Sequence, residues 1–208
     1  MIEAKLAELG ITLPAPAAPV ASYVPAVEAN GMLFISGQLP FVDGKVVERG
    51  MVWDLLNGFF DTEMHRQQAI DGAVESLNRL REHADVVILT NLLDHRAGPR
   101  TEQLKAVGID APVYCNQGGK GEALGRILGA YKPSVAVFVD DLGHQHESVG
   151  EQHPDVWRLH FVGEPLLWDR VKPSKSAHAR LDRWADAEVW IRERLVANAP
   201  APSLEKVA

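Results

Sequence analysis

The sequence predicts an α/β chain: a parallel sheet with flanking helices, preceded by a short β-hairpin-like segment. From residue 51 onward, short apolar stretches alternate with amphipathic segments, a pattern typical of βαβ units and a parallel sheet. Several stretches, such as VVIL over 86–89, are apolar without interruption, as strands buried on both faces are. We therefore divide the chain into two predicted parts, residues 1–50 and 51–208.

The first part contains a strand pattern but few helical signals. The spacing of Ile2, Leu6 and Leu9 predicts a short helix ending at Gly10, and a proline-rich stretch follows that should be extended. NGMLFISGQ (30–38) reads as a strand, and VDGKVVERG (42–50) as a turn and a second strand, so these two segments are expected to form a hairpin.

The second part shows the alternation of strands and helices most clearly. Residues 51–65 look at least partly helical. The predicted strands are 85–91, 112–116, 134–141 and 156–162; the predicted helices are 69–83, 98–109, 119–131, one starting near 146, and a final one over 175–197.

Composition excludes several classes of protein. The chain has 208 residues, a net charge of −7 and a pI of about 5.6, which argues against nucleic acid and against an anionic membrane surface as partners. Cys115 is the only cysteine, so an intrachain disulfide is impossible. The N-terminus lacks the apolar stretch of a signal peptide, and no apolar run approaches the ~20 residues of a membrane helix. We expect a soluble cytoplasmic protein.

Polar side chains follow three of the predicted strands. Thr90 and Asn91 end the first, a Gly-rich turn after the second leads to Lys120, and the adjacent acids Asp140 and Asp141 end the third. The carboxyl ends of parallel strands meet at one sheet edge, where ligands bind, so Thr90, Lys120, Asp140 and Asp141 should converge. Together they suit a phosphate group and Mg²⁺. Singly, each is also typical of a helix cap or a solvated loop.

The combination resembles the haloacid dehalogenase (HAD) superfamily over about residues 51–170. Thr90 in VVILTN is similar to the second motif of that family, Lys120 in NQGGKG to the third, and Asp140 and Asp141 in VFVDD to the fourth. The resemblance implies a Rossmann-like fold, dependence on Mg²⁺ and phosphoryl transfer, usually phosphatase activity. It also implies that Thr90 and Lys120 are catalytic residues, that they bind the phosphate together with Asn91, and that Asp140 and Asp141 hold the metal.

The first motif of that family has no counterpart in this chain. It is a strand ending in Asp-x-Asp, whose first Asp attacks phosphorus. No such strand precedes residue 67; Asp43 lies in a turn pattern, and Asp54 and Asp61 lie in a helical one. The chain departs from the family at the nucleophile, and very slow or absent turnover is expected.

The N-terminal part carries a second resemblance. Residues 5–50 are similar to the start of the reactive-intermediate deaminases (RidA or YjgF family), with Tyr23 and the SGQ of residues 36–38 in place. Only the first third of such a domain is covered, and the later strands that supply its arginine and acid are missing. The strand at 32–36 could fill the missing central position of the HAD-type sheet or remain a separate hairpin; we favour the first because burying Leu33 and Ile35 contributes roughly 1.5–3 kcal/mol each.

Three functions remain open at this point. The first is a Mg²⁺-dependent phosphohydrolase acting on a small phosphorylated molecule. The second is a non-catalytic protein that keeps a metal- and anion-binding pocket. The third, ranked last, is an imine deaminase of the RidA type. The histidines His144 and His146 are two residues apart, which on a helix places them on different faces and disfavours zinc.

Overall fold

A computed structural model describes residues 57–204 in full. Of the preceding part it describes the backbone of four short strands, 26–29, 32–35, 41–42 and 45–46. The chain divides into two compact units, Met1–Phe60 and Asp61–Ala208. Each unit is considered by itself below.

The first unit contains two antiparallel strand pairs. Strand β1 (Ala26–Ala29) pairs with β2 (Met32–Ile35), and β3 (Phe41–Val42) pairs with β4 (Lys45–Val46). The predicted strand is therefore present, but it pairs with β1 in a two-stranded sheet of its own, so the favoured insertion into the parallel sheet is wrong. The residues between β1 and β2 are Asn-Gly, the pair most typical of a two-residue hairpin, and local pairing wins.

The second unit is a mixed α/β structure with small parallel sheets, which is compatible with a Rossmann-like fold. A helical segment at 57–62 and a 3₁₀ turn at Met64–Arg66 lead into it. Its elements are α1 (Ala73–Leu80), β5 (Ile88–Thr90), α2 (Ala97–Ala106), β6 (Val113–Cys115), α3 (Gly121–Tyr131), β7 (Val137–Asp140), α4 (Gly143–Gln152), β8 (Trp157–Phe161), β9 (Ala179–Leu181) and α5 (Trp184–Ala197).

The described strands of this unit form two parallel sheets. Strand β5 pairs with β6, with Thr90 beside Cys115. Strand β8 pairs with β7 on one side and β9 on the other, with Asp140 beside His160. Helices connect most of these strands, as parallel pairing requires. The carboxyl ends of β5 and β7, which carry Thr90 and Asp140, are thus each paired with the neighbouring strand up to their last residue.

The largest differences from the predicted boundaries are at the starts of two helices. The predicted helix over 69–83 begins only at Ala73, because Gly72 before it has a left-handed backbone (φ of 74°) that cannot continue a helix upstream. The predicted final helix over 175–197 covers only Trp184–Ala197, and the short edge strand Ala179–Leu181 precedes it. Three residues with a mixed polar pattern give too short a periodic signal to separate a strand from a helix.

The core of the unit lies between α5 and the sheet of β7 to β9. Leu159 in β8 and Ala187 in α5 are completely buried and belong to one apolar cluster with Leu80 of α1. Helix α1 is fixed to α5 by Arg79, which forms a bidentate ion pair with the buried carboxylate of Glu188 (2.6–3.0 Å). The sheet is thereby held on a packed scaffold. Within the described part of the chain, no helix is both long and apolar enough to cross a membrane.

Candidate functional site

A buried ion pair lies at the carboxyl end of β7. Lys120, directly before α3, places its Nζ 2.6 Å from Oδ2 of Asp140, the last residue of β7. The two side chains are only 13% and 5% exposed. A charged pair this well removed from solvent interacts strongly, and it brings together two of the residues that the sequence predicted to converge.

The chain just after β7 holds both acids in fixed positions. The Leu142 N–H donates to Asp140 Oδ1 (2.9 Å), so both carboxylate oxygens of Asp140 have a donor. The neighbouring Asp141 is solvent-exposed at the surface of the unit. Partial desolvation, together with the negative charge of Asp140, raises the pKa of Asp141 above its ordinary value. A carboxylate whose charge is disfavoured in this way gains most from a cation.

The loop between β6 and α3 links Lys120 to the end of β5. The Gln145 side chain accepts from the Lys120 N–H (2.9 Å) and donates to the Gly118 carbonyl (3.2 Å). The Asn91 side chain donates to the same carbonyl (2.8 Å) and accepts from Asn116 (3.0 Å). Asn91 is therefore part of the same hydrogen-bond network as Lys120.

Helix α3 begins in very close contact with α4. The Gly121 N–H donates to Ser148 Oγ (3.0 Å), and a Cβ built on Gly121 would stand 2.3 Å from the Ser148 carbonyl oxygen. Only glycine permits this approach, which fixes where Lys120 enters the site. The sequence pointed to a glycine near the start of this helix but gave no sign that α4 was its partner.

Thr90 lies at the same strand end as Asn91 but does not join the network. It is the last residue of β5 and is half-buried. Among the described residues, its hydroxyl makes no hydrogen bond with Lys120 or Asp140. Among the described residues, Lys120 thus contacts Asp140, and Asn91 is connected to Lys120 through Gly118, while the Thr90 hydroxyl takes no part in this network.

Two buried histidines support the backbone of the acid pair, which the sequence did not predict. His146 of α4 is completely buried and donates from Nε2 to the Asp140 carbonyl (3.0 Å), while its Nδ1 has no partner among the described residues. Burial lowers the pKa of His146 to about 4, so its ring is neutral at pH 7. His160 of β8 donates from Nε2 to the Asp141 carbonyl (2.9 Å), since its Nδ1 accepts from the Ser174 N–H (3.0 Å).

The donor set determines which metal the site can hold. Asp140 and Asp141 supply hard carboxylate oxygens, which suit Mg²⁺. In the described ranges, no group of three or more His, Cys, Asp or Glu side chains lies together as a metal cluster. A Mg²⁺ ion here would rely on two carboxylates and on water, and it would share Asp140 with Lys120. The carboxylate donors present are of the type that such an ion prefers.

Comparisons with known proteins add no relative. A scan against protein-family models and searches of curated proteins and of solved structures found no match for this chain. The class of protein defined by the structure is therefore a mixed α/β protein with parallel sheets.

Proposed function

We propose that this chain is a HAD-like protein that binds a phosphate group together with Mg²⁺ at the carboxyl ends of β5 and β7. The observation that carries the proposal is the buried Lys120–Asp140 ion pair at 2.6 Å, next to Asp141 and connected to Asn91 through Gly118. A lysine, two acids and an amide at one sheet edge are the groups that phosphoryl-transfer sites use to position charge.

The roles of the phosphate-binding residues follow from their chemistry. Lys120 supplies a positive charge that neutralises phosphate oxygens, and it can do so while it remains close to Asp140. The Thr90 hydroxyl supplies a hydrogen-bond donor from the end of β5. Asn91 already uses its amide N–H on Gly118, so its first role is to hold the loop that presents Lys120.

Asp140 and Asp141 would hold the Mg²⁺ ion. When bound, the ion neutralises negative charge on a phosphate ester and helps to orient it. Asp141 is the more available ligand, because both oxygens of Asp140 already accept hydrogen bonds from Lys120 and Leu142. The raised pKa of Asp141 fits a carboxylate whose charge is balanced only when a cation is present.

The proposed site lacks a carboxylate nucleophile among the described residues. Asp61, one of three upstream acids considered, forms a bidentate ion pair with the buried Arg96 at 2.7 and 3.0 Å, and this interaction lowers the pKa of Asp61. Asp43 and Asp54 lie outside the described residues. Phosphate binding with very slow or absent hydrolysis is therefore the function that the geometry supports best.

The experiment is a pair of measurements on the full chain. Calorimetric titration with inorganic phosphate in the presence of Mg²⁺ should show binding that Asp141→Asn weakens and that Asp71→Asn, a matched change at an exposed acid, leaves unchanged. Hydrolysis of an aryl phosphate should be far below the ~1–10³ s⁻¹ typical of enzymes. No phosphate binding would refute the proposed site. Turnover in the typical range that Asp140→Asn abolishes would show that a nucleophile is present.

A further inference from the structure

The parallel sheets of the second unit are interrupted between β5 and β7. These two strands line one groove of about 540 Å³, whose walls include 85–89 on one side and 133–139 on the other. In the described part of the chain, β5 pairs only with β6, and β7 pairs only with β8. Each strand thus has one edge directed away from its own sheet.

The two strands run in the same direction along the groove. The carboxyl end of β5 is tied by Asn91 to Gly118, and Lys120 from that same loop reaches the carboxyl end of β7 at Asp140. Their amino ends, near Asp85 and Pro133, both line the groove. A chain lying between them would be parallel to both.

The backbone groups that face the groove can be identified from the ladder. Ile88 donates to Pro112, and Thr90 accepts from Asn116, so alternate residues of β5 face β6 and Leu89 between them faces the groove. Ala136 accepts from the Trp157 N–H, which turns the N–H and C=O groups of the next residue in β7 to the groove. Within the described part of the chain these strand-edge groups have no backbone partner, and such groups bind an extended backbone best.

The groove is apolar above and below as well. Leu124 and Ile127 of α3 line one face; Leu80 of α1 and Ile191 of α5 line the other. The strand residues 86–89, whose sequence is typical of strands buried on both faces, are only half-buried. An occupant must therefore carry apolar side chains on both of its faces.

The size and charge of the groove define its occupant further. Strand β5 has three residues and β7 has four, so an occupant that pairs along both edges has about three to four residues. Asp85 is an exposed acid at the amino end of the groove. A parallel occupant would place its own amino end there, which favours a lysine or arginine before its apolar residues.

We propose that this groove binds an extended segment of another protein chain, which adds a central parallel strand between β5 and β7. The segment has three to four apolar residues preceded by a basic residue. Backbone hydrogen bonds on both edges supply the binding, and the apolar faces select the side chains, as in other cases of strand addition. This inference is independent of the proposed phosphate site.

The experiment uses the full chain and the acetylated, amidated peptide Lys-Val-Ile-Val-Val, with binding followed by fluorescence anisotropy of a labelled copy. The matched control peptide has the same side chains but N-methyl groups at two alternate residues. The unmodified peptide should bind at least about tenfold more tightly, because N-methylation removes backbone donors. It should also slow amide exchange at Leu89, Val137 and Val139. Equal binding of both peptides would show general apolar adhesion and overturn the proposal.

Two further outcomes decide the matter. Asp85→Asn should weaken the lysine peptide about two- to fivefold, while Asp71→Asn, the same change at another exposed acid, should not. If the amides of Leu89, Val137 and Val139 are already protected in the chain without peptide, the chain itself fills the groove and the proposal is wrong. Failure of the peptide to bind at all, with those amides exchanging freely, overturns it equally.

Discussion

Removing both partners of the Lys120–Asp140 pair should destabilise the protein no more than removing either one alone. At 2.6 Å and an effective dielectric of ~20, the attraction between the two charges is about 6 kcal/mol before desolvation is subtracted. Because the side chains are 13% and 5% exposed, either one left alone is a poorly solvated charge. We expect Lys120→Met and Asp140→Asn each to lower the free energy of unfolding by about 2–3 kcal/mol, and the double variant by about 2 kcal/mol.

The assay is a double-mutant cycle measured by urea unfolding at pH 7, with tryptophan fluorescence as the signal. The expected coupling energy between the two sites is about 2 kcal/mol or more. Arg126 and Glu122 on the same helix provide the control, since they form an ion pair of 2.7 Å whose side chains are 62% and 82% exposed. Their cycle should give less than about 0.5 kcal/mol. A coupling below about 0.5 kcal/mol for Lys120 and Asp140 would refute the reasoning that burial makes this pair strong.

Three other predictions concern the support of the site and the scaffold. Gly121→Ala should lower the free energy of unfolding by about 1–3 kcal/mol and weaken phosphate binding, because the added Cβ would meet the Ser148 carbonyl oxygen. Gly129→Ala on the same helix is the control: a Cβ there has no atom within 4 Å, so this variant should be neutral or stabilising in the same urea titrations. The pKa of His146 is about 4 in the folded protein against an ordinary 6.5, so below pH 6.5 the ring takes up a proton in the unfolded chain but not in the folded one. The free energy of unfolding should therefore fall by up to about 3 kcal/mol as the pH drops from 6.5 to 4. His146→Gln should flatten that slope, and an unchanged slope would contradict the assignment. The Arg79 ion pair lowers the pKa of Glu188 below its ordinary 4.5, so the stability that this carboxylate contributes is fully present above pH 4.5 and is lost as the pH falls through the lower folded pKa. The free energy of unfolding of Glu188→Gln should therefore fall less than that of the unchanged protein when the pH is lowered below 4.5.

The sequence predicted the parts of the fold that depend on periodicity and local chemistry. The apolar runs that became β5 and β7 and the 3–4 spacing that became α1 were recognisable from residue order alone. The edge strand Ala179–Leu181 was missed because its pairing with β8 is a tertiary contact that three residues do not encode. The predicted hairpin between 30–38 and 42–50 is wrong, because β2 pairs with β1 across Asn-Gly, the pair most typical of a two-residue turn.

Part of the site was also predictable, and for a clear physical reason. Parallel strands bring their carboxyl ends to one edge, so the positions of Thr90, Lys120, Asp140 and Asp141 after three strands predict their proximity. The structure confirms this for Lys120 and Asp140, whereas at the end of β5 it is Asn91, the neighbour of Thr90, that is connected to them through Gly118. The supporting residues were not predictable in this way. Gln145 and His146 lie on one turn of α4, and only the packing of that helix against the loop at Gly118 and the end of β7 reveals what they bind.

The proposed phosphate and metal site can be tested most directly by following the backbone amides of the full chain by NMR during titration with Mg²⁺ and inorganic phosphate. Binding at the site predicts shifts at Asn91, Lys120, Gly121, Asp141 and Leu142 that require both components, while amides of the exposed helix surface, such as Val189 and Val196, remain unchanged. Saturating additions that leave the amides of the site unshifted, or that shift only residues elsewhere, would contradict the proposal.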